Sequence, residues 1–150
     1  MTKATTTTRP EIVADLPSRL RFALMRLSRR LRQNDGSDAT PSQVSALSSV
    51  EAHGSLTLGE LAAYERVAPP SMTRIVSHLE ERDLVLREVD ASDRRVARVS
   101  ITDAGRTLLT EVRNKKTAYL AERISLLSDE DRAVLHAALP VIERLVEDRP

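Results

Sequence analysis

Two helix starts of the same design stand a short way apart in this chain, Thr40-Pro41-Ser42-Gln43 and Thr57-Leu58-Gly59-Glu60. In each, the threonine hydroxyl can accept from the amide three residues on. The Gln or Glu at that position reaches back to the threonine's own amide, and Pro41 suits a first helical turn. Val44, Leu47 and Val50 form the apolar stripe of the first helix, and Gly54 is placed to end it after His53. The second helix is short, reaching about Tyr64, with Leu58, Leu61 and Ala62 turned inward. A third start, Pro69-Pro70-Ser71, follows a tight connection and predicts a helix to about Arg82, its stripe being Met72, Ile75, Val76 and Leu79. Directly after it come two β-prone runs, Leu84 to Val89 and Val96 to Ile101, joined by the turn-forming Asp90-Ala91-Ser92-Asp93. Short helices joined by a brief turn and followed at once by a hairpin leave few arrangements open. The one that buries every stripe is a winged helix-turn-helix.

The flanks read as long helices. Leu16, Leu20, Leu24, Leu27 and Leu31 recur at steps of three or four, the period of one helical face. Pro17 suits that helix only in its first turn, because a proline further in removes a backbone bond. Asn34 to Asp38 reads as a loop. Beyond the hairpin, Thr102 caps a helix carrying Leu108, Leu109, Val112, Tyr119, Leu120, Ile124 and Leu127. Ser128 caps the last helix, and Asp129, Glu130 and Asp131 complement the positive end of its dipole. Pro140 should bend it. Aromatic residues make up only 2% of the chain, so the core must be aliphatic, which suits helix packing. The expected fold is mainly α with a small β-hairpin wing. Residues 1–10 read as a disordered tail and 11–150 as a single domain, with the winged helix-turn-helix at 40–101.

Several function classes drop out on composition. No apolar run approaches the ~20 residues that span a bilayer, and Met1 to Pro10 lacks the apolar segment of a signal peptide, so the expected location is the cytoplasm without membrane association. The chain has no cysteine, which excludes disulfides, thiolate chemistry and thiol-based sensing. His53, His78 and His136 form no ligand-spaced pair, and no metal or cofactor is expected. There is no Gly-rich phosphate loop and no nucleophile with a paired base. Glu80 and Glu81 are sequence neighbours that diverge on a helix, so no catalytic residue is expected and the chain reads as a non-enzyme.

With a net charge of +1 the whole protein is not a polybasic nucleic-acid binder, and the distribution of charge carries more information. Arg19, Arg21, Arg26, Arg29, Arg30 and Arg32 form one group, read as a solvated helix face. Arg87, Arg94, Arg95 and Arg98 form a second, in and around the hairpin. Opposite the apolar stripe of the Pro69–Arg82 helix lie Ser71, Thr73, Arg74, Ser77 and His78, with Pro70 at its start. Short polar side chains let a helix enter the major groove, and Arg74 can contact guanine in bidentate fashion. Any amphipathic surface helix has a polar face, so the adjoining hairpin is what points to DNA. Asp93-Arg94-Arg95 falls at or just past the hairpin tip, where an arginine can enter the narrow minor groove. Asp93 can orient that guanidinium by a charge-assisted hydrogen bond. The plain alternative there is a solvated ion pair. For the chain as a whole, the alternative is a winged-helix protein-interaction module that does not bind DNA.

The stretch from Thr40 to Arg106 resembles the MarR (multiple antibiotic resistance regulator) family of bacterial transcription factors. The matching pieces are Thr40-Pro41-Ser42-Gln43, Leu58-Gly59-Glu60-Leu61-Ala62, and Pro70-Ser71-Met72-Thr73-Arg74 with Leu79-Glu80. The wing signature follows as Asp93-Arg94-Arg95, then Ile101-Thr102-Asp103-Ala104-Gly105-Arg106. The resemblance implies a homodimer whose dimerisation helices here span 16–33 and 103–146. It further implies a pseudo-palindromic DNA operator, read by Pro70, Ser71, Thr73, Arg74, Ser77 and His78 in the major groove. Arg95 would take the minor-groove role with Asp93 orienting it, and Arg94 would be the next candidate. Family members often act as repressors released by a small phenolic or anionic effector, and without cysteine an oxidation switch is excluded. The family's turn between the paired helices usually carries glycine. Here it reads Glu65-Arg66-Val67, which implies modest strain if Arg66 is left-handed. Ala68-Pro69-Pro70 makes a stiff entry into the next helix, with neither proline supplying an N–H.

Overall fold

The computed structural model describes residues 9–147. Its elements, in order, are α1 (Arg9–Gln33), α2 (Pro41–His53), β1 (Leu56–Thr57), α3 (Leu58–Glu65), α4 (Pro69–Glu81), β2 (Val85–Val89), β3 (Ala97–Ile101), α5 (Asp103–Ser125) and α6 (Asp129–Val146). Both threonine capping boxes form in full. Thr40 N donates to Gln43 Oε1 at 2.9 Å and Thr57 N to Glu60 Oε2 at 2.8 Å, while each threonine hydroxyl accepts from the amide three residues on. Thr102 and Ser128 cap α5 and α6 in the same way through a single bond each. Gly54, at φ 77°, ends α2.

The core is aliphatic and sits within the helix-turn-helix and its sheet. Leu47, Val50, Leu61, Met72, Val76, Leu79 and Val99 are fully buried, with Leu109 and Val112 of α5 closing one side. Each such side chain contributes about 1.5–3 kcal/mol relative to exposure. The hairpin strands pair antiparallel from Val85 with Ile101 to Val89 with Ala97. The sheet has a third strand that the sequence does not announce. Leu56 and Thr57 pair with Val99 and Arg98, giving the order β1-β3-β2. A two-residue strand carries no alternation to detect, and its sequence reads as the approach to a helix cap.

The turn between α3 and α4 closes with Arg66 in the left-handed region, at φ 52° and ψ 41°. Arg66 N reaches Ala63 O at 3.2 Å and Val67 N reaches Ala62 O at 3.0 Å, so two of the helix's last carbonyls are satisfied by a Schellman pair around a non-glycine residue. The same device ends α4. Asp83 has φ 55°, with Asp83 N bonded to Glu80 O and Leu84 N to Leu79 O, both at 2.9 Å.

The flanking helices differ from expectation at one end. α1 begins at Arg9, so Arg9 and Pro10, expected in the tail, are helical, while residues 1–8 lie outside the described residues. Pro17 is consequently well inside the helix instead of in its first turn. α6 continues through Pro140 to Val146. Neither flank is covered by the rest of the chain: Leu16, Leu24 and Leu27 of α1 are 57%, 44% and 42% exposed, and α6 contains no buried residue. No helix among the described residues is long and apolar enough to cross a membrane.

Candidate nucleic-acid interface

The α4 helix divides as its sequence divides. Met72, Val76 and Leu79 point into the core with no exposed surface, and Ile75 packs at its edge. On the opposite side Thr73, Arg74 and His78 are exposed, with Ser71 and Ser77 half-buried beside them. Thr73 turns its hydroxyl back to donate to Pro69 O at 3.0 Å. His78 Nδ1 lies 3.3 Å from Glu81 Oε2 one turn on. Arg74 has no ion-pair partner among the described residues, so its guanidinium is free to bond elsewhere. Pro70 stands in the first turn, where its missing N–H costs no helical bond.

The face extends beyond α4. Thr40, Ser42 and Gln43, at the start of α2, line one groove together with Ser71, Arg74 and His78. The capping box located that helix start, but nothing in the sequence says that it lies alongside α4.

In the wing, the four-arginine group of the sequence separates into two pairs with different employment. Arg87 lies along β2 with Nη2 at 3.4 Å from Glu80 Oε2 and is mostly covered. Arg98 donates from Nε to Asp90 Oδ2 at 2.5 Å and from Nη1 to Ser55 O at 3.3 Å. Arg98, through Ser55 O, ties the hairpin to the residues ahead of β1, while Arg87 lies against Glu80 of α4 with its Nε and Nη2 buried and without a hydrogen-bond partner. Arg94 and Arg95 alone stand at the tip, Arg95 with its side chain 93% exposed. Asp93 Oδ1 accepts from Arg95 N at 3.0 Å and lies 3.4 Å from Arg95 Nε, so one carboxylate oxygen fixes both the backbone and the inner end of the guanidinium. Past the tip the chain returns beside α3, where Arg95 shares a recess with Thr57, Leu58 and Gly59.

Asp90 is the residue that sequence reasoning undervalued, reading it only as a turn former. Hydrogen bonds from Ser92, and then from Arg98, hold its carboxyl well below the usual carboxylate range. The same contact with Asp90 raises the Arg98 guanidinium further. Glu60 is lowered chiefly by the Thr57 amide that it caps. Asp90 and Glu60 are thus held in the ionised form beside the cations of the candidate surface.

A cavity of about 350 Å³ lies between α1, the α1–α2 loop, α2 and α5. Arg32, Asp35, Val44 and Lys116 are among its lining residues. Asp35, only 7% exposed, pairs with Lys116 Nζ at 3.4 Å. No aromatic side chain lines it.

Residues 39–97 match the model of the MarR family. Over 138 residues the chain is 39% identical to an HTH-type transcriptional regulator of Mycobacterium bovis, covering 91% of this chain and 96% of that protein. It is 36% identical over 92 residues to the HTH-type transcriptional repressor MdtR of Bacillus subtilis, covering 61% and 59% of the two chains. Among solved structures, a transcriptional regulator of Pseudomonas aeruginosa superposes with a TM-score of 0.81 at 31% identity, covering 95% of this chain and all of that one.

Proposed function

The chain belongs to the MarR family of non-enzymatic, DNA-binding transcription regulators, and from that premise we propose that it is a homodimeric repressor of a pseudo-palindromic operator. The observation that carries the reading is the contrast among the arginines. Arg87 and Arg98 lie against Glu80 and Asp90 within the domain, whereas Arg74 on α4 and Arg95 at the wing tip are exposed to solvent. Each protomer seats α4 in a major groove, with Pro70, Ser71, Thr73, Arg74, Ser77 and His78 facing the bases and backbone. The wing carries Arg95 into the neighbouring minor groove, oriented by Asp93, with Arg94 against phosphate. Bidentate arginine contacts read base edges, while arginines in a narrow minor groove read shape.

A second copy of the chain is the partner that fits the uncovered flanks. Leu139, Val141 and Leu145 of α6 are 44%, 51% and 66% exposed, and Leu16, Leu24 and Leu27 add a matching stripe on α1. Apolar surface of that extent, on helices that bury little else, favours an obligate interface. The effector is a small carboxylate or phenolate taken into the cavity between α1, α2 and α5, where it competes with Asp35 for Lys116, with Arg32 also lining the cavity. The name of MdtR supports repression as the direction.

The experiment is selection of bound fragments from genomic DNA by the purified chain, followed by sedimentation with and without the selected duplex. The reading expects a dimer that retains one duplex and releases it to a member of a panel of small carboxylates and phenols. Leu139→Asp should give a folded monomer that no longer binds. Recovery of no enriched fragment would replace this reading with a winged-helix protein-interaction module.

A further inference from the structure

The tip of the wing has no buried side chain to hold it, and residues 91–95 are all exposed. A hairpin end of this kind would ordinarily be ordered only on binding, at a cost in conformational entropy that weakens the complex. Here it is organised by two carboxylates in series. Asp90 Oδ1 accepts from Ser92 N at 2.8 Å, from Ser92 Oγ at 2.5 Å and from Asp93 N at 3.2 Å. Its other oxygen takes Arg98 Nε, and Arg98 is tied in turn to Ser55 O, just ahead of β1. Asp93, so placed, accepts from Arg95 N, and its carbonyl accepts from Val96 N at 2.9 Å. Asp90 N closes the loop on Val96 O at 2.8 Å. The chain of bonds runs from the edge of the sheet to the arginine at the tip without a gap. The side chain of Asp90 is 13% exposed on an otherwise solvated loop, as befits a hub.

We propose that Asp90 is a positioning residue for the minor-groove contact, presenting Arg95 in its bound orientation before DNA arrives, with Arg98 as the strut that fixes Asp90 to the sheet. The inference rests on the minor-groove role given to Arg95 above. It assigns to Arg98 a task distinct from that of the tip arginines, although it belongs to the same basic cluster in sequence. Pre-ordering a loop raises affinity without adding a contact.

The test is a double-mutant cycle on the full chain, using as probe a duplex selected from a randomised pool by the unaltered protein. Asp90→Ala should weaken binding about tenfold in the native background and by less than about twofold when Arg95→Ala is already present, because the ordering it removes then serves no contact. Arg98→Gln should behave likewise, and it carries the test if Asp90→Ala does not yield folded protein. The loss should be greatest on duplexes whose flanks are A·T-rich, where the minor groove is narrow, and base preference under α4 should be unchanged. An unaltered affinity in Asp90→Ala, or an equal loss in both backgrounds, overturns the proposal. If Arg95→Ala itself has no effect, the minor-groove reading falls and takes this inference with it. A normal Arg95 loss beside a silent Asp90 removes the inference alone.

Discussion

The carbonyl oxygen of Leu84 occupies the space in which a side chain on residue 105 would begin. A Cβ built on Gly105 falls 2.2 Å from that oxygen and 2.8 Å from Ile101 Cγ1. The approach is close because Leu84 O also accepts from Thr102 N at 3.1 Å, drawing the start of β2 over the first turn of α5. Thr102 Oγ1 adds a bond to Asp83 O at 2.6 Å. The start of the hairpin is thereby pinned to the first turn of the long helix that follows it.

Gly105→Ala should therefore destabilise the fold by about 3 kcal/mol or more, since the obstructing atom is backbone and cannot swing aside. Gly59→Ala is the matched control. Only Thr57 Oγ1 lies near its Cβ position, at 4.0 Å, and stability should change by less than about 1 kcal/mol. Urea unfolding of the two variants measures the difference directly. Equal midpoints would show that the hairpin and α5 can separate without loss.

Stability in acid should report on Asp90. Its folded carboxyl lies below the ordinary value of 3.8, so its contribution is complete above that value and is lost as pH falls through the folded one. Glu60 follows the same sign from an ordinary 4.5. The melting midpoint of the native chain should exceed that of Asp90→Asn by a constant margin at pH 5–7, and the gap should narrow below about pH 4. A margin that widens in acid would mean that the carboxylate form is not the one that is bonded.

Arg74 and Arg95 should fail in different ways. Arg74→Ala should cost roughly 1–3 kcal/mol on the selected duplex and relax the preference at one base pair of each half-site. Arg95→Ala should weaken binding through the flanks and leave the dimer intact by sedimentation. Parallel loss on all sequences for Arg74→Ala would place that side chain on phosphate instead of a base edge.

Legibility followed the range of the interactions. The capping boxes at Thr40 and Thr57 and the glycine stop at Gly54 are local chemistry, and they stand within a residue of where the sequence places them. The left-handed Arg66 is legible as a condition on a glycine-free turn, while its counterpart at Asp83 has no such mark in the sequence. Strand β1 is too short to show alternation. Pro17 reads as a helix opening, yet α1 begins at Arg9 and runs through it. Within the interface, the polar face of α4 and the Asp93–Arg95 pair follow from short spacing. The employment of Arg87 and Arg98 does not, because Glu80 and Ser55 are brought to them only by the tertiary fold. Nor could spacing show that Thr40, Ser42 and Gln43 flank α4, a contact between two helices separated by the whole of α3.

The central claim is that this surface grips a duplex by its phosphates and reads it with α4 and the wing. The most direct measurement is the dependence of affinity on salt for the native chain and a duplex it has selected. A protein making six to ten phosphate contacts should lose about 10³–10⁵ in affinity between 50 and 200 mM salt, with log K falling linearly against log salt. Arg95→Ala and Arg74→Ala should both still show a steep line. A flat dependence in the native chain would contradict the account, for a winged helix that meets a protein partner through its apolar edges releases no phosphate counterions.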